Sequence, residues 1–277
     1  MTVFAMNELR AKYHHDLCFK ILARKKNGEV NIADKDSKAS TNIAEKLVQS
    51  IGGANCPHLP SGQEAGRVFA EITNDYLKNA FGLLQMLRPG KWGFNVEKPI
   101  TGFDQYGYLS EIEKYVSENP NIRTWLGADY IVKSDIVVFR SPIPERELRN
   151  SGDDIAKFTP LREINSKLPI LHAVVSCKWT IRSDRSQNTR TEALNLIRLR
   201  KGNTPHITAV TAEPLPTRIA SLALGTGDID CVYHFALTEL CEAVSACENE
   251  DQMDMLKTLI GGRRLRDISD LVFGLAI

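Results

Sequence analysis
No apolar run in the chain approaches the roughly 20 residues that a membrane-spanning helix needs, so no membrane partner is expected. The amino terminus lacks a basic segment followed by an apolar stretch, and the expectation is an unexported, cytoplasmic protein. Cysteine is present without pattern. Cys18, Cys56, Cys177, Cys231, Cys241 and Cys247 contain no CxxC pair, which argues against a zinc site or a disulfide framework and for a reducing compartment. Charge of one sign is also missing: 35 Lys and Arg nearly cancel 34 Asp and Glu, for a net charge of +1, so the overall balance marks no polyanionic partner. Internal repeats, low-complexity tracts and an obvious linker are absent, and one domain is expected over residues 1–277. With 43% hydrophobic residues in 277, that domain can bury a large core without covalent or metal staples.

What is there is local. Between Lys178 and Lys201 lie Arg182, Arg185, Arg190, Arg198 and Arg200 against only Asp184 and Glu192. This is either a solvated helix face or a basic strip for a phosphate backbone. The first 60 residues read as helix and then loop, with 31–41 a polar, turn-prone connector. Helical spacing of Val68, Phe69, Ile72, Tyr76, Ala80, Leu83, Leu84 and Leu87 predicts a long amphipathic helix over 66–87, stopped by Pro89-Gly90. Strands are predicted at 130–139, 169–179, 206–212 and 229–235, and helices at 187–200, 217–224, 236–246 and 252–260. Strands separated by helices give an α/β fold with a mixed central sheet flanked by helices. Gly225-Thr226-Gly227 lacks the surrounding residues of a phosphate loop and reads as a turn.

In the strand over 169–179, alternation places His172, Val174, Ser176 and Lys178 on one side and Leu171, Ala173, Val175 and Cys177 on the other. Lys178 comes out at the strand's end, where a lysine is most often plain solvated surface. Upstream, Asp135 begins a strongly apolar segment, Ile136-Val137-Val138, where a bare carboxylate is costly without a cation or donor beside it; a cap or turn role is the plainer alternative. Downstream, Glu192 sits on a helix able to fold back against the same strand ends. Two carboxylates can hold Mg²⁺, a hard cation that keeps some of its water, and a lysine adds positive charge beside an attacking water. Such a set suits phosphodiester hydrolysis. By spacing alone the signal is weak, because all three residue types are common. A cysteine nucleophile at Cys177 lacks a neighbouring histidine or asparagine to complete it, and His172 reads as a packed strand residue.

The run Ser176-Cys177-Lys178-Trp179-Thr180-Ile181-Arg182-Ser183-Asp184-Arg185 resembles the catalytic and recognition segment of the NgoMIV-like, CCGG-cutting branch of the PD-(D/E)XK type II restriction endonucleases. The likeness continues through Glu192-Ala193-Leu194-Asn195-Leu196, Val210-Thr211-Ala212-Glu213-Pro214 and Asp230-Cys231-Val232-Tyr233-His234-Phe235, and touches most of the chain. The resemblance implies a restriction-endonuclease-like fold with its catalytic core at about 125–240 and Mg²⁺-dependent cutting of double-stranded DNA. In that branch the acidic residue two positions before the lysine is missing and its metal-binding task passes to a glutamate on the next helix. Here Ser176 fills the vacated position, Glu192 matches the displaced glutamate, and Asp135 matches the metal-binding aspartate with Ser134 where the family has proline. The backbone carbonyl of Cys177 is implied as a further metal ligand. Glu71 stands one position away from an additional family glutamate, a shift that turns a helical side chain by about 100°.

Arginine donates two hydrogen bonds to guanine O6 and N7, and aspartate accepts from cytosine N4, so Arg182, Asp184 and Arg185 suit consecutive G·C pairs. The resemblance further implies that Asp34 reads the outer pair, that Gln63 approaches the minor groove, and that the site is GCCGGC cut after the first G to leave a CCGG overhang. Palindromic recognition calls for a twofold homodimer, and the resemblance adds a tetramer of two dimers on two DNA copies. A repair or recombination nuclease on the same scaffold would keep Asp135, Lys178 and Glu192 yet read DNA structure in place of sequence; the Arg182-Asp184-Arg185 cluster weighs against it. A non-catalytic DNA-binding protein would be insensitive to loss of Lys178.

Overall fold
A computed structural model describes residues 2–119, 133–148, 156–181, 183–225 and 227–277, with the side chains of 2–4 and 183–186 outside it. Six strands pair in sequence order: β1 (Trp92–Val96), β2 (Ile136–Arg140), β3 (Ile170–Lys178), β4 (His206–Thr211), β5 (Cys231–His234) and β6 (Leu265–Asp267). The first three are antiparallel neighbours and the last three continue parallel from β3, so the sheet is mixed, as expected. Parallel strands need crossovers. Helices Ser183–Leu199 and Pro216–Ala223 supply them on either side of β4.

β3 is central because both of its faces are covered. Residues Ala173 to Cys177 are buried, and alternation decides only what emerges at the two ends, where His172 and Lys178 remain partly accessible. His172 is a packed residue, as its position suggested: Nε2 donates to the carbonyl of Leu275 at 2.6 Å, and burial lowers its pKa to about 4. β2 starts with Asp135 just outside and Ile136, Val137 and Val138 fully buried.

The long amphipathic helix runs Gly62–Gly82, earlier at both ends than its apolar spacing predicts. Ser61 caps it: the hydroxyl accepts from the Glu64 amide while the Glu64 carboxylate accepts from the Ser61 amide. Replacing Ser61 by alanine is expected to cost about 1 kcal/mol, read as an earlier urea midpoint with an unchanged slope. Leu83 and Leu84 lie beyond the helix in a turn leading to Pro89, with Met86 and Leu87 exposed. The connector over 31–41 ends sooner than its polarity suggests, since Ser37 caps a helix over Lys38–Ser50. Among the described residues, two strands and two further α-helices also go unread in the sequence: β1, the helix Tyr108–Glu118, β6 and the helix Ile268–Leu275. The beginning of the strand expected at 130–139, and of the core expected from about 125, lies outside the described residues.

The ends of the chain are tied together by charge. Arg10, on the helix Thr2–Lys20, forks onto Glu239 at 2.7 Å and onto Asp267 at 2.8 and 3.0 Å. Burial pushes the Asp267 carboxyl up, but Arg10 and Ser269 outweigh it and hold it at about 2. Among the described residues no helix is long and apolar enough to cross a membrane.

Candidate active site and nucleic-acid interface
The antiparallel pairing of β2 with β3 places the first residue before β2 against the last residues of β3. Asp135 Oδ2 accepts a hydrogen bond from the Cys177 amide at 2.7 Å and lies 3.6 Å from Lys178 Nζ. Both side chains are partly accessible. Glu192 projects to the same place from the helix Ser183–Leu199. Burial raises its carboxyl above the ordinary value, Lys178 pulls against this, and Asp135 reinforces it. Ser176 is buried one step back along β3, and the Cys177 thiol is inside the core, its pKa pushed far up by burial and then by Asp135. A thiol so held is inert as a nucleophile. Asp135, Ser176, Cys177, Lys178 and Glu192 are therefore brought together.

The neighbouring wall is the long helix. Glu71 and Gln63 border a cleft of about 840 Å³ that reaches Asp135 and Cys177. Glu71 is not unengaged there, since its carboxylate accepts from Arg67 Nη1 at 2.5 Å. Glu97 lies on the same cleft, just past β1, with its amide donating to the Asp135 carbonyl at 3.1 Å and a left-handed φ of 53°. Nothing in its sequence neighbourhood announced it. Among the described residues no three His, Cys, Asp or Glu side chains stand close enough together to hold a metal unaided.

Asp34 lies elsewhere, in a second cleft of about 790 Å³ bordered by Lys25, Asn31, Thr180, Ile181 and Arg218. A smaller cleft shares Gly62 with the first and Lys25, Asn31 and Thr180 with the second, so the three run as one groove from Asp135 to Asp34. Asp34 is fixed at its base: Oδ1 accepts from the Asp36 amide at 3.1 Å, and Oδ2 is paired with Arg218 Nη2. The Asp36 amide first and Arg218 second hold its carboxyl below the usual range. Arg218, 184 residues away in sequence, is a second functional candidate, after Glu97, that the sequence pattern does not show. Of the cluster expected to read bases, Arg182 lies outside the described residues, as do the side chains of Asp184 and Arg185, whose backbone forms the first turn of the helix Ser183–Leu199. The segment leading to them, Thr180-Ile181, forms part of the groove wall.

Comparison with known proteins bears on this groove. Residues 13–277 match the family described as NgoMIV restriction enzyme. The type II restriction enzyme NgoMIV of Neisseria gonorrhoeae is 43% identical over 266 residues, covering 93% of each chain. Among solved structures, a complex of the restriction endonuclease PspGI with substrate DNA aligns over 99% of this chain and 91% of that one, at 16% identity and a TM-score of 0.37, a likeness too slight to carry an argument.

Proposed function
The chain belongs to the NgoMIV restriction enzyme family and is a type II restriction endonuclease, and we propose that it hydrolyses double-stranded DNA at GCCGGC, after the first G, with Mg²⁺ as cofactor. The observation that carries the reading is the meeting of Asp135, Lys178 and Glu192 at the end of β3. Asp135 pairs with Lys178 and Glu192 feels both charges, so two carboxylates face one ammonium in a partly buried site. Oxygen ligands in such an environment suit a hard divalent cation that retains several waters. Asp135, Glu192 and the Cys177 carbonyl would hold Mg²⁺, with Glu71 nearby if it lets go of Arg67. When bound, the ion supplies charge relief at phosphorus and acidifies water.

The protein's own groups do the rest. The Cys177 amide fixes Oδ2 of Asp135, a residue that borders the cleft. Lys178, tethered 3.6 Å from that carboxylate, puts an ammonium where a scissile phosphate would lie and where hydroxide must form. Water oxygen then bonds to phosphorus, the bond from phosphorus to the 3′ oxygen breaks, and the leaving oxygen takes a proton. Ser176, small and buried, leaves room for Glu192 to serve from the neighbouring helix.

Recognition is assigned along the groove. Arg182, Asp184 and Arg185 read CCGG. Asp34 and Arg218 read the outer pair together, an acceptor for cytosine N4 beside a donor fork for guanine, and Gln63 approaches the minor groove. Their mutual ion pair keeps both ordered until the bases replace it. Because each half-site must meet the same surface, the chain acts as a homodimer and, by family likeness, as a tetramer of two dimers, with residues 1–277 one nuclease domain. The test is cleavage of a duplex carrying one GCCGGC in Mg²⁺ or EDTA, with the ends sequenced. Cutting after the first G that disappears in EDTA and returns with added Mg²⁺ is expected; metal-independent cutting or ends elsewhere would overturn the proposal. A structure-directed nuclease would cut a bubble or flap in preference to this duplex.

A further inference from the structure
Beneath the recognition end of the groove sits Glu213, 1% exposed and without a place in the chemistry above. It follows β4 and lies between two segments that it joins by hydrogen bonds. Its Oε2 accepts from the Ile181 amide at 2.9 Å, and its Oε1 accepts from the Leu215 amide at 3.2 Å. Ile181 immediately precedes Arg182, the first residue of the cluster assigned to CCGG. Leu215 is the residue before the helix Pro216–Ala223, which carries Arg218 toward Asp34. Glu213 is itself held, since its amide donates to the Thr211 hydroxyl at 3.1 Å at the end of β4. A buried carboxylate is costly, and a main-chain corner can be built without one. Two amides pointing at one side chain from two recognition segments are what an ionised carboxylate satisfies best, because only the anion offers a strong acceptor on both oxygens.

We infer that Glu213 is a positioning residue for specificity, a two-armed bracket that sets the inner readers after Ile181 and the outer reader Arg218 at a fixed separation so that both meet the bases of one half-site. The inference rests on the restriction-enzyme reading of the groove. Burial raises the Glu213 carboxyl to about 7, against the Ile181 and Leu215 amides, with Arg218 lowering it and Asp34 raising it. Among the described residues, the charged and titratable groups facing it are Arg218, Asp34 and His234. Asp34 is held below the usual carboxylate range, and burial lowers His234 to about 4. Asp34 and His234 are both displaced to the acid side of the window from pH 6 to 8.5, so a change in discrimination there is assigned to Glu213. Protonation turns one of its oxygens from acceptor into donor and frees one arm, so discrimination is full above pH 7 and falls below it.

The experiment measures single-turnover cleavage of GCCGGC and of duplexes altered at one base pair, by wild type and E213Q, from pH 6 to 8.5. The ratio of rates cancels any pH effect on the hydrolysis common to all substrates. Glutamine keeps the shape but serves one amide only, as the protonated acid does. E213Q is expected to cut GCCGGC within a few fold of wild type at pH 8, to lose about tenfold in discrimination at inner and outer pairs, and to give a ratio flat in pH. Wild type should approach that lower ratio as pH falls through about 7. An E213Q ratio equal to wild type at pH 8, or an equal loss of rate on every duplex, overturns the inference. The wild-type profile decides independently of how the variant folds, for a flat wild-type ratio also overturns it. A wild type that cuts all these duplexes alike instead removes the specificity reading on which the bracket depends.

Discussion

Replacing Lys178 by alanine is expected to slow single-turnover cleavage by about 10³-fold while leaving affinity for GCCGGC within a few fold. The size follows from where the ammonium sits. At 3.6 Å from Asp135 and facing Glu192, it counters two carboxylates that would otherwise repel an approaching phosphate and hydroxide. That help matters most when charge accumulates on the phosphoryl oxygens, so its removal falls on the rate and far less on ground-state binding. Binding is assigned to groups along the rest of the groove, and these remain. Asp135→Asn should fall as far or further, because it disturbs both the Cys177 amide contact and the cation's ligands. Gel-shift titration without metal, paired with quench-flow rates in Mg²⁺, separates the two effects. Loss of binding in step with rate in the Lys178 variant would move that residue from chemistry to recognition.

Replacing Arg218 by alanine is expected to abolish preference for the outer G·C pair, a loss of about 1–3 kcal/mol or roughly 5- to 150-fold in discrimination, with the inner CCGG still required. The argument is geometric. Asp34 has one oxygen committed to the Asp36 amide and the other to Arg218, so the two side chains form a preset acceptor and donor pair at the end of the groove. Removing the arginine deprives guanine of its partner and leaves Asp34 without the cation that orders it. Asp34→Ala should give the same relaxed flanks from the other side, and the double variant should add little, because the two act as one reader. Additive losses would mean that they serve separate base pairs.

The sequence disclosed the parts of the site that rest on local pattern. Alternation over Ile170–Lys178 located Lys178 at a strand end, and an apolar run after Asp135 located the neighbouring strand. Spacing connected Glu192 to them only weakly, and family likeness strengthened that link and alone supplied Asp34. What stayed hidden has particular causes. β1 has only five residues and contains Gly93 and Asn95, poor strand formers that lower its propensity, and β6 has only three residues. The long helix was started too late because its capping box, Ser61 and Glu64, precedes the apolar repeat that was used to find it. Arg218 and Glu213 were invisible for a different reason: each looks like a surface charge in sequence, and only the crossover from β4 into the following helix brings them under and beside residues far away in the chain. Glu97 joined the cleft through the pairing of β1 with β2, which was itself unread.

The central claim is that one groove couples metal-dependent hydrolysis at Asp135, Lys178 and Glu192 to reading of a single palindrome. It is tested most directly by digesting a plasmid library with randomised pairs flanking CCGG, in Mg²⁺ and in EDTA, and sequencing every end. The account predicts ends confined to GCCGGC, after the first G, in Mg²⁺ alone. Ends scattered without regard to sequence, or produced equally in EDTA, would contradict it.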